Sequence, residues 1–290
     1  MSRLLEVYGY EYRGPVFSWW DLARVVEACR SGGGVVSVEC CRSRMRVVCR
    51  GGFICVGGVC FEEPVLDALK RDMLYMVEGG VLVPVESRLH GYSRLRCIGD
   101  CAAPTVEING IHMHRIEGCD PWSDAVSKVR AARVRRGHRV LDTCMGLGYT
   151  ALASLEAGAG LVVTVEVSDE VLWLAERNPW SRGLGGGGVV ILRGDVRHVV
   201  GLFPDGFFDR IIHDPPRFSR STGDLYSLSL YREFFRLLRP GGVLFHYTGT
   251  PKRRRGVNLA KGVSRRLLEA GFTGVRFLRG VGGVVARKPW

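Results

Sequence analysis

Between residues 139 and 247, short apolar segments alternate with segments of helical periodicity. The apolar segments predicted as strands span residues 139–142, 161–167, 189–192, 210–213 and 243–247. Helices are predicted at about residues 149–158, 169–177, 228–238 and 257–270. This alternation is typical of a mostly parallel sheet with helices on both faces. The sequence therefore predicts an α/β domain, and in such open sheets ligands bind beyond the carboxyl ends of the strands.

The first 115 residues have a different pattern, which predicts a small α+β domain. The elements expected there are a helix at 20–29, a β-meander at 35–60, a helix at 64–77 and a hairpin at 105–114. The hairpin is predicted because alternating residues flank Asn109-Gly110. A helix from Asp120-Pro121 precedes the first core strand, and a terminal hairpin turns at Gly280. We therefore expect two domains, at residues 1–115 and 116–290.

A glycine-containing loop follows the first core strand, in the run Leu141-Asp142-Thr143-Cys144-Met145-Gly146-Leu147-Gly148. Glycine lets the backbone approach a ligand closely, and the start of the next helix offers unpaired N–H groups. With Ala151 the loop also fits the dinucleotide pattern Gly-x-Gly-x-x-Ala. Glu166 ends the second strand, where a carboxylate can accept both ribose hydroxyls of NAD or of S-adenosylmethionine.

Three acids favour S-adenosylmethionine over NAD. Asp142 ends the first strand, where it can face the amino-acid end of the cofactor. Asp195 ends the third strand and can accept from the adenine amino group, and Asp214-Pro215-Pro216 ends the fourth. The alternative for these acids is an ordinary role in strand-terminal turns. The residues predicted to bind the cofactor are Asp142, Cys144, Gly146, Gly148, Tyr149, Glu166, Val167, Asp195, Val196 and Asp214.

From about residue 120 to residue 290, these motifs resemble the class I (Rossmann-like) S-adenosylmethionine-dependent methyltransferases. A narrower resemblance, to an archaeal family of predicted methyltransferases, rests on Gly146-Leu147-Gly148-Tyr149-Thr150-Ala151, Asn178-Pro179-Trp180-Ser181, Asp214-Pro215-Pro216-Arg217-Phe218, Leu225-Tyr226-Ser227 and Phe245-His246-Tyr247. The resemblance implies a hyperthermophilic archaeal source and an RNA substrate, with cytidine N4 of ribosomal RNA as a candidate. Cys144 departs from the glycine usual in the wider class, which predicts a wider turn or a thiol near the cofactor.

The predicted catalytic residues are Asp214, Pro215, Pro216 and Arg217. Amino methyltransferases carry Asn or Asp, then Pro-Pro, then an aromatic residue. The carboxylate and a backbone carbonyl can accept the N–H bonds of an exocyclic amine, and proline keeps the turn rigid. Arg217 replaces the aromatic residue, so base stacking is expected from Arg217 itself, Phe218, Tyr226 or Tyr231.

Further substrate contacts are predicted after the fifth strand. Lys252, Arg253, Arg254 and Arg255 can hold a phosphate backbone, with a solvated basic loop as the alternative. His213 and His246 are candidate proton relays, with fully hydrogen-bonded buried histidines as the alternative. The residues predicted to bind the substrate are Phe218, Tyr226, Tyr231, His246, Lys252, Arg253, Arg254 and Arg255.

The net charge of +12 lies almost wholly in the second domain, with +1 at residues 1–115 and +11 at residues 116–290. Such an excess attracts nucleic acid, although a general arginine bias is the alternative. It argues against a rival function, that of a polyamine aminopropyltransferase using decarboxylated S-adenosylmethionine, whose site should be acidic. The intact Asp214-Pro215-Pro216 argues against a second rival, a non-catalytic RNA- or cofactor-binding module.

Ten cysteines, nine of them before Asp120, contain no Cys-x-x-Cys pair, so no metal is expected. Buried thiols are preferred here over disulfides, which do occur inside hyperthermophilic cells. No apolar run reaches the roughly 18 residues of a membrane span, and the first residues do not resemble a signal peptide. We therefore expect a cytoplasmic enzyme.

Overall fold

The computed structural model describes residues 6–89, 91–249 and 259–290. These residues form two compact units, which interleave along the chain. The first comprises the described parts of Met1–Gly9, Trp122–Ser168 and Gly186–Trp290, and the second comprises Tyr10–Pro121 and Asp169–Gly185. The sequence predicted one boundary, between residues 115 and 116. The structure differs because a strand near the N-terminus joins the first unit and residues 169–185 join the second.

The strands of the described chain are β1 (Glu6–Val7), β2 (Val16–Ser18), β3 (Gly34–Val38), β4 (Ser43–Arg50), β5 (Phe53–Val56), β6 (Val59–Glu62), β7 (Leu74–Glu78), β8 (Val81–Pro84), β9 (Glu86–Ser87), β10 (Ser93–Arg96), β11 (Thr105–Ile108), β12 (Ile111–His112), β13 (Arg139–Asp142), β14 (Leu161–Glu166), β15 (Val189–Arg193), β16 (Phe208–His213), β17 (Leu238–Tyr247), β18 (Thr273–Leu278) and β19 (Gly283–Arg287). The α-helices are α1 (Trp19–Arg30), α2 (Pro121–Ala131), α3 (Tyr149–Glu156), α4 (Asp169–Glu176), α5 (Val196–Val199), α6 (Leu228–Leu237) and α7 (Leu259–Glu269).

The first unit is built on an eight-stranded sheet in the order β1-β15-β14-β13-β16-β17-β19-β18. The five central strands, β15 to β17 in that order, run parallel. Strand β19 pairs antiparallel with both β17 and β18, and β1 pairs antiparallel with β15. The prediction of a mostly parallel sheet that ends in an antiparallel hairpin is therefore confirmed.

Burial on both faces explains why the central strands are mostly apolar. Every residue of β16 is buried, and Leu141 on β13 lies beside Val163 and Ile211 on its neighbours. A strand covered on both faces is apolar at most positions rather than at alternate ones, and the buried polar residues of β16, which are Asp209, Arg210 and His213, are hydrogen-bonded. Helix α6 is amphipathic, and its buried side chains Leu230, Tyr231, Phe234 and Leu237 join the same core.

The second unit holds three small antiparallel sheets, in the orders β2-β7-β8, β3-β4-β5-β6 and β12-β11-β10-β9. Helix α1 covers one face of the β3–β6 sheet and begins at a capping box between Ser18 and Asp21. Phe17, Leu22 and Phe61 are fully buried in this core. The predicted helix at 20–29, the meander and the hairpin at Asn109-Gly110 are all confirmed.

The helix predicted at residues 64–77 is wrong. Only Leu66–Ala68 forms a single 3₁₀ turn, and Leu74–Glu78 is the central strand of a sheet. The helical spacing of apolar residues was real, but backbone pairing with two strands distant in sequence overrode it.

The preference for buried thiols over disulfides is also wrong, since six of the ten cysteines form disulfides. The disulfides are Cys29–Cys49, Cys41–Cys101 and Cys55–Cys60, all in the second unit. Cys55 and Cys60 lie directly opposite each other on β5 and β6. The other two pairs are brought together by tertiary packing, which the sequence spacing does not reveal. Among the described residues, no helix combines the length and apolar character needed to cross a bilayer.

Candidate active site

Four predicted acids share one edge of the parallel sheet. Asp142 and Glu166 are the last residues of β13 and β14, while Asp195 and Asp214 follow β15 and β16. These four strands are hydrogen-bonded neighbours, so their carboxyl ends meet at the same edge. The structure therefore brings together side chains that are up to 72 residues apart in sequence. In open parallel sheets this is the edge where ligands bind.

The loop after β13 has the backbone that a close-bound ligand requires. Gly146 and Gly148 have φ of 55° and 76°, in the left-handed region where a side chain would be strained. Gly148 caps the N-terminus of α3. The loop is tied to the next strand, because Gly146 N–H donates to Glu166 Oε2 at 3.0 Å and Met145 N–H donates to the Val165 carbonyl at 2.8 Å. The loop is thus fixed in place, with the helix N-terminus facing the edge.

Asp142 is a buried acid with an unused acceptor. It is fully buried, and Oδ2 accepts a hydrogen bond from Thr164 Oγ1 at 2.8 Å. Its other oxygen, Oδ1, accepts no hydrogen bond of normal geometry within the described part of the chain, although the Thr150 side chain lies near enough to the carboxyl group to oppose the rise in its pKa. Burial raises the pKa of Asp142 to about 7. A buried oxygen without a donor fits a ligand that brings N–H groups, such as the ammonium of an amino acid.

Glu166 is held by backbone donors. Oε2 accepts from Gly146, and Oε1 accepts from the N–H groups of Val167 and Ser168, both at 2.9 Å. Burial raises the pKa of Glu166, although these three hydrogen bonds oppose the rise. Because an ionised carboxylate offers about four acceptor positions, capacity remains for a hydroxyl. Val167 is 50% exposed and gives apolar surface beside it.

Asp195 is engaged more fully than the sequence suggested. It caps α5 by accepting from Arg197 N–H, and the Arg197 guanidinium pairs with both carboxylate oxygens at 2.6 to 3.1 Å. Burial would raise the pKa of Asp195, but the hydrogen bonds from Arg197 outweigh it and the pKa is lowered. Arg197 also pairs with Asp224 at 2.6 Å. Any contact between Asp195 and an adenine amine must share the carboxylate with Arg197. Val196, beside it, is buried.

Asp214 is paired with a lysine that the sequence reasoning missed. Lys128 Nζ donates to Asp214 Oδ2 at 2.6 Å and pairs with Asp124 Oδ2 at 2.7 Å. The Lys128 side chain is only 4% exposed, and its ammonium lies 4.3 Å from the centre of the Tyr247 ring. Burial would lower the pKa of Lys128, but the two carboxylates outweigh it and raise the pKa. The only sequence signal was an Asp-x-x-x-Lys pair on the apolar side of α2.

The segment after Asp214 is rigid on its inner side and exposed on its outer side. Pro215 is buried, and the Pro216 carbonyl accepts from Tyr226 Oη at 2.8 Å. The buried Tyr226 ring packs edge-on against Phe218, with ring centres 5.3 Å apart. Phe218 is 56% exposed, and the Arg217 side chain is exposed as well. Of the predicted stacking residues, Phe218 and Arg217 are therefore the ones at the surface.

The two histidines and Tyr231 are buried and hydrogen-bonded in the core of this structure. His213 donates from Nε2 to the Leu225 carbonyl at 2.8 Å, and its Nδ1 lies 2.6 Å from Thr143 Oγ1. His246 donates from Nδ1 to the Tyr247 carbonyl and accepts from Tyr231 Oη at 2.8 Å. All three side chains are fully buried. Burial lowers the pKa of His213 to about 4 and also lowers that of His246.

The remaining predicted site residues are half-buried, fully buried or outside the described part of the chain. Cys144 is half-buried, and burial raises the pKa of its thiol, which stays protonated at neutral pH. Tyr149 is 2% exposed and packs edge-on against Trp122 at 6.1 Å, so its ring is part of the unit's interior. Lys252, Arg253, Arg254 and Arg255 lie outside the described residues.

Comparison with known proteins places this geometry among methyltransferases. Residues 102–251 match the family model described as guanidinoacetate N-methyltransferase. An uncharacterized protein of Methanocaldococcus jannaschii is 44% identical over 236 residues, which cover 80% of each chain. The ribosomal RNA large subunit methyltransferase I of Aeromonas hydrophila is 33% identical over 125 residues, covering 41% of this chain and 32% of that enzyme. This chain therefore matches about a third of that enzyme's length.

A likeness of fold is also found among solved structures. Spermidine synthase from Thermotoga maritima superposes with a TM-score of 0.53 over 78% of this chain and 84% of that one. The sequence identity is 17%, so the likeness concerns the fold alone.

Proposed function

We propose that this chain, which belongs to the guanidinoacetate N-methyltransferase family and is an S-adenosylmethionine-dependent methyltransferase, methylates an exocyclic amino group of an RNA base. Ribosomal RNA is the favoured substrate and cytidine N4 the favoured acceptor, with guanosine N2 and adenosine N6 as alternatives. The observation that carries the proposal is the position of Asp214-Pro215-Pro216 on the same sheet edge as Asp142 and Glu166.

The residues along this edge fit the cofactor, which supplies a methyl group bonded to a sulfonium. The free Oδ1 of Asp142 would accept from its ammonium group, and Glu166 would accept from its ribose hydroxyls. Gly146 and Gly148 would let the loop backbone approach it without a steric clash. Asp195 would accept from the adenine amino group through the acceptor positions that Arg197 does not occupy.

The acceptor site follows from the chemistry of a base amine. Such a nitrogen is a poor nucleophile because its lone pair is delocalised into the ring. Asp214 offers one oxygen that makes no hydrogen bond to the described residues, since Lys128 occupies the other. That oxygen, with a backbone carbonyl of the Asp214-Pro215-Pro216 turn, would accept the two N–H bonds and direct the lone pair. Correct alignment of this kind is worth up to about 7–11 kcal/mol.

Lys128 gives Asp214 an orienting role. Asp214 already pairs with a buried ammonium through one oxygen, so its role would be to hold the amine in position. Methyl transfer from a sulfonium disperses charge, and a strong base is not needed before the new bond forms. The pairing also fixes the rotamer of Asp214, which sets where its free oxygen points.

Three observations support an RNA base as the acceptor. The Aeromonas hydrophila relative is named for ribosomal RNA, and the family description names a nitrogen acceptor. The charge of +11 at residues 116–290 favours a polyanion. Phe218 and Arg217 offer exposed planar groups, which can stack on an unpaired base, directly after the amine-binding turn.

The test is methyl transfer from labelled S-adenosylmethionine to ribosomal RNA, followed by nucleoside mass spectrometry. We expect an N-methylated base, with activity lost in Asp214→Asn and kept in Asp205→Asn, a control at an exposed acid of the same unit. Methylation of guanidinoacetate but not of RNA would overturn the RNA assignment. A methylated carbon or ribose oxygen would overturn the amine assignment.

A further inference from the structure

One face of the β3–β6 sheet is exposed, and it is basic. On β4 the side chains alternate, so Arg44, Arg46 and Arg50 point away from helix α1 and are exposed. Residues two apart on a strand are about 6.8 Å apart, so Arg44 and Arg46 form a short row that Arg50 extends. We call these three residues the β4 arginine row.

The β4 arginine row has no internal counter-charge. None of the three makes an ion pair or a side-chain hydrogen bond with the described residues, whereas Arg24, Arg30 and other arginines of the same unit do. The only acid on this face of the four strands is Glu62, on the edge strand β6. Three neighbouring like charges repel one another, and their positions therefore favour an external anion.

Apolar and aromatic groups lie between these charges. Val35 is the cross-strand partner of Arg46, and Phe53 is the partner of Arg50; they are 55% and 43% exposed. Val48, on the same face of β4, is 38% exposed. The Cys55–Cys60 disulfide joins β5 to β6 on this face. A rigid sheet that carries guanidinium groups beside an exposed ring is suited to a phosphate backbone and an unstacked base.

We propose that this face docks a single-stranded segment of RNA, with the β4 arginine row on the phosphates and Phe53 stacked on a base. The inference rests on the proposed function for the identity of the polyanion, and it assigns RNA binding to a unit whose overall charge is close to neutral. A second copy of this chain is a poor occupant, because two such faces would bring like charges together.

The test compares RNA binding by the wild-type chain, by Arg44→Gln/Arg46→Gln/Arg50→Gln and by a matched control. The control is Arg133→Gln/Arg135→Gln/Arg136→Gln. These three exposed arginines precede the N-terminal end of β13, whereas the candidate active site lies at the carboxyl ends of the strands. The probe is a short fluorescein-labelled oligocytidylate, measured by fluorescence anisotropy across a salt series. Methyl transfer to RNA is measured in parallel.

Three lost phosphate contacts should lower the salt slope of log affinity by about 2, at about 0.7 for each contact with a single strand. Between about 50 and 200 mM salt, the wild-type affinity should then fall about 20-fold more than that of the β4 variant. The control should keep the wild-type slope. In methyl transfer, the β4 variant should show a raised KM for RNA and an unchanged kcat.

Equal slopes for wild type and β4 variant, or no RNA binding by the wild type, would overturn the docking face. A wild-type dimer that the β4 substitutions convert to a monomer in sedimentation would also overturn it, by showing self-association. The two proposals fail separately. RNA binding through this face without methylation would refute the methyl-transfer function alone, whereas methylation unaffected by the β4 substitutions would refute the docking face alone.

Discussion

Replacing Lys128 by methionine tests the most unusual feature of the site. Lys128 lies 2.6 Å from Asp214 and 2.7 Å from Asp124, and its side chain is 4% exposed. With an effective dielectric constant of about 20, each pair is worth about 6 kcal/mol of Coulomb energy. Desolvation of the charges takes back much of this, and removing one partner of a buried pair typically costs about 3–5 kcal/mol. Methionine fills the volume of the lysine stem, so the loss is mainly electrostatic.

The expected result is a loss of about 3–5 kcal/mol in the free energy of unfolding at pH 7, measured by urea titration. The control Arg130→Met removes an exposed charge from the same helix and should change stability by less than about 0.5 kcal/mol. Adding Asp124→Asn to Lys128→Met should recover part of the loss, because one buried carboxylate is no longer charged. The kcat for methyl transfer should fall, since Asp214 is no longer held in one rotamer.

The pH dependence distinguishes this electrostatic effect from simple loss of packing. In wild type the pKa of Lys128 is raised, so its contribution is complete below the unfolded value of about 10.5 and is lost only as the pH rises through the folded pKa. In the variant, the two carboxylates lack their cation, and protonation at low pH removes the cost of that unpaired charge. Protonation is expected as the pH falls towards about 3.9, the reference value for an aspartate. The difference between the two proteins should therefore shrink below about pH 4. A loss under about 1 kcal/mol at pH 7, or one that does not change with pH, would refute the reasoning.

Three further predictions follow from buried groups. The affinity for S-adenosylmethionine, measured calorimetrically, should fall up to about tenfold per pH unit below pH 7 in wild type but not in Asp142→Asn, because the pKa of Asp142 is about 7; equal slopes would contradict this. Glu166→Gln should weaken cofactor binding by about 10- to 100-fold, as expected for loss of charged hydrogen bonds, and an unchanged Kd would exclude Glu166 as a ribose ligand. Tyr231→Phe should lower stability by about 1–3 kcal/mol in thermal unfolding, because His246 loses a hydrogen-bond partner inside the core. The KM for RNA should stay unchanged, and a raised KM would support a substrate-binding role for Tyr231.

The parts of the fold that could be predicted are those encoded by local periodicity. The strands and helices around Asp142 and Glu166 lie where the apolar pattern placed them, because a parallel strand covered on both faces is apolar at most positions. The strand Leu74–Glu78 was mistaken for a helix because its identity depends on pairing with β2 and β8. The disulfides Cys29–Cys49 and Cys41–Cys101 join residues 20 and 60 positions apart, and no spacing rule selects those pairs.

The candidate site shows the same difference between what local sequence predicts and what only tertiary structure reveals. The acids were predictable because each follows a strand, and parallel topology then requires them to share an edge. The partners of those acids were not predictable. Lys128 reaches Asp214 across 86 residues, and its Asp-x-x-x-Lys spacing with Asp124 is also that of an ordinary surface ion pair. His246 and Tyr231 were predicted to bind the substrate from their residue types, and only the structure shows that their buried side chains are hydrogen-bonded to each other.

Asp142 and Asp214 have different electrostatic environments, and the difference predicts different roles for the two acids. The two acids belong to neighbouring strands, yet only Asp214 pairs directly with Lys128, and burial raises the pKa of Asp142 to about 7 although Lys128 opposes the rise. Environments that separate two carboxyl groups in this way assign them different roles. In the proposed cofactor site, an ammonium group would give Asp142 a counter-charge, so cofactor binding would be coupled to loss of a proton near neutral pH. Asp214 is already neutralised by Lys128 and needs only hydrogen bonds from its ligand, which suits an uncharged base amine better than a cationic polyamine.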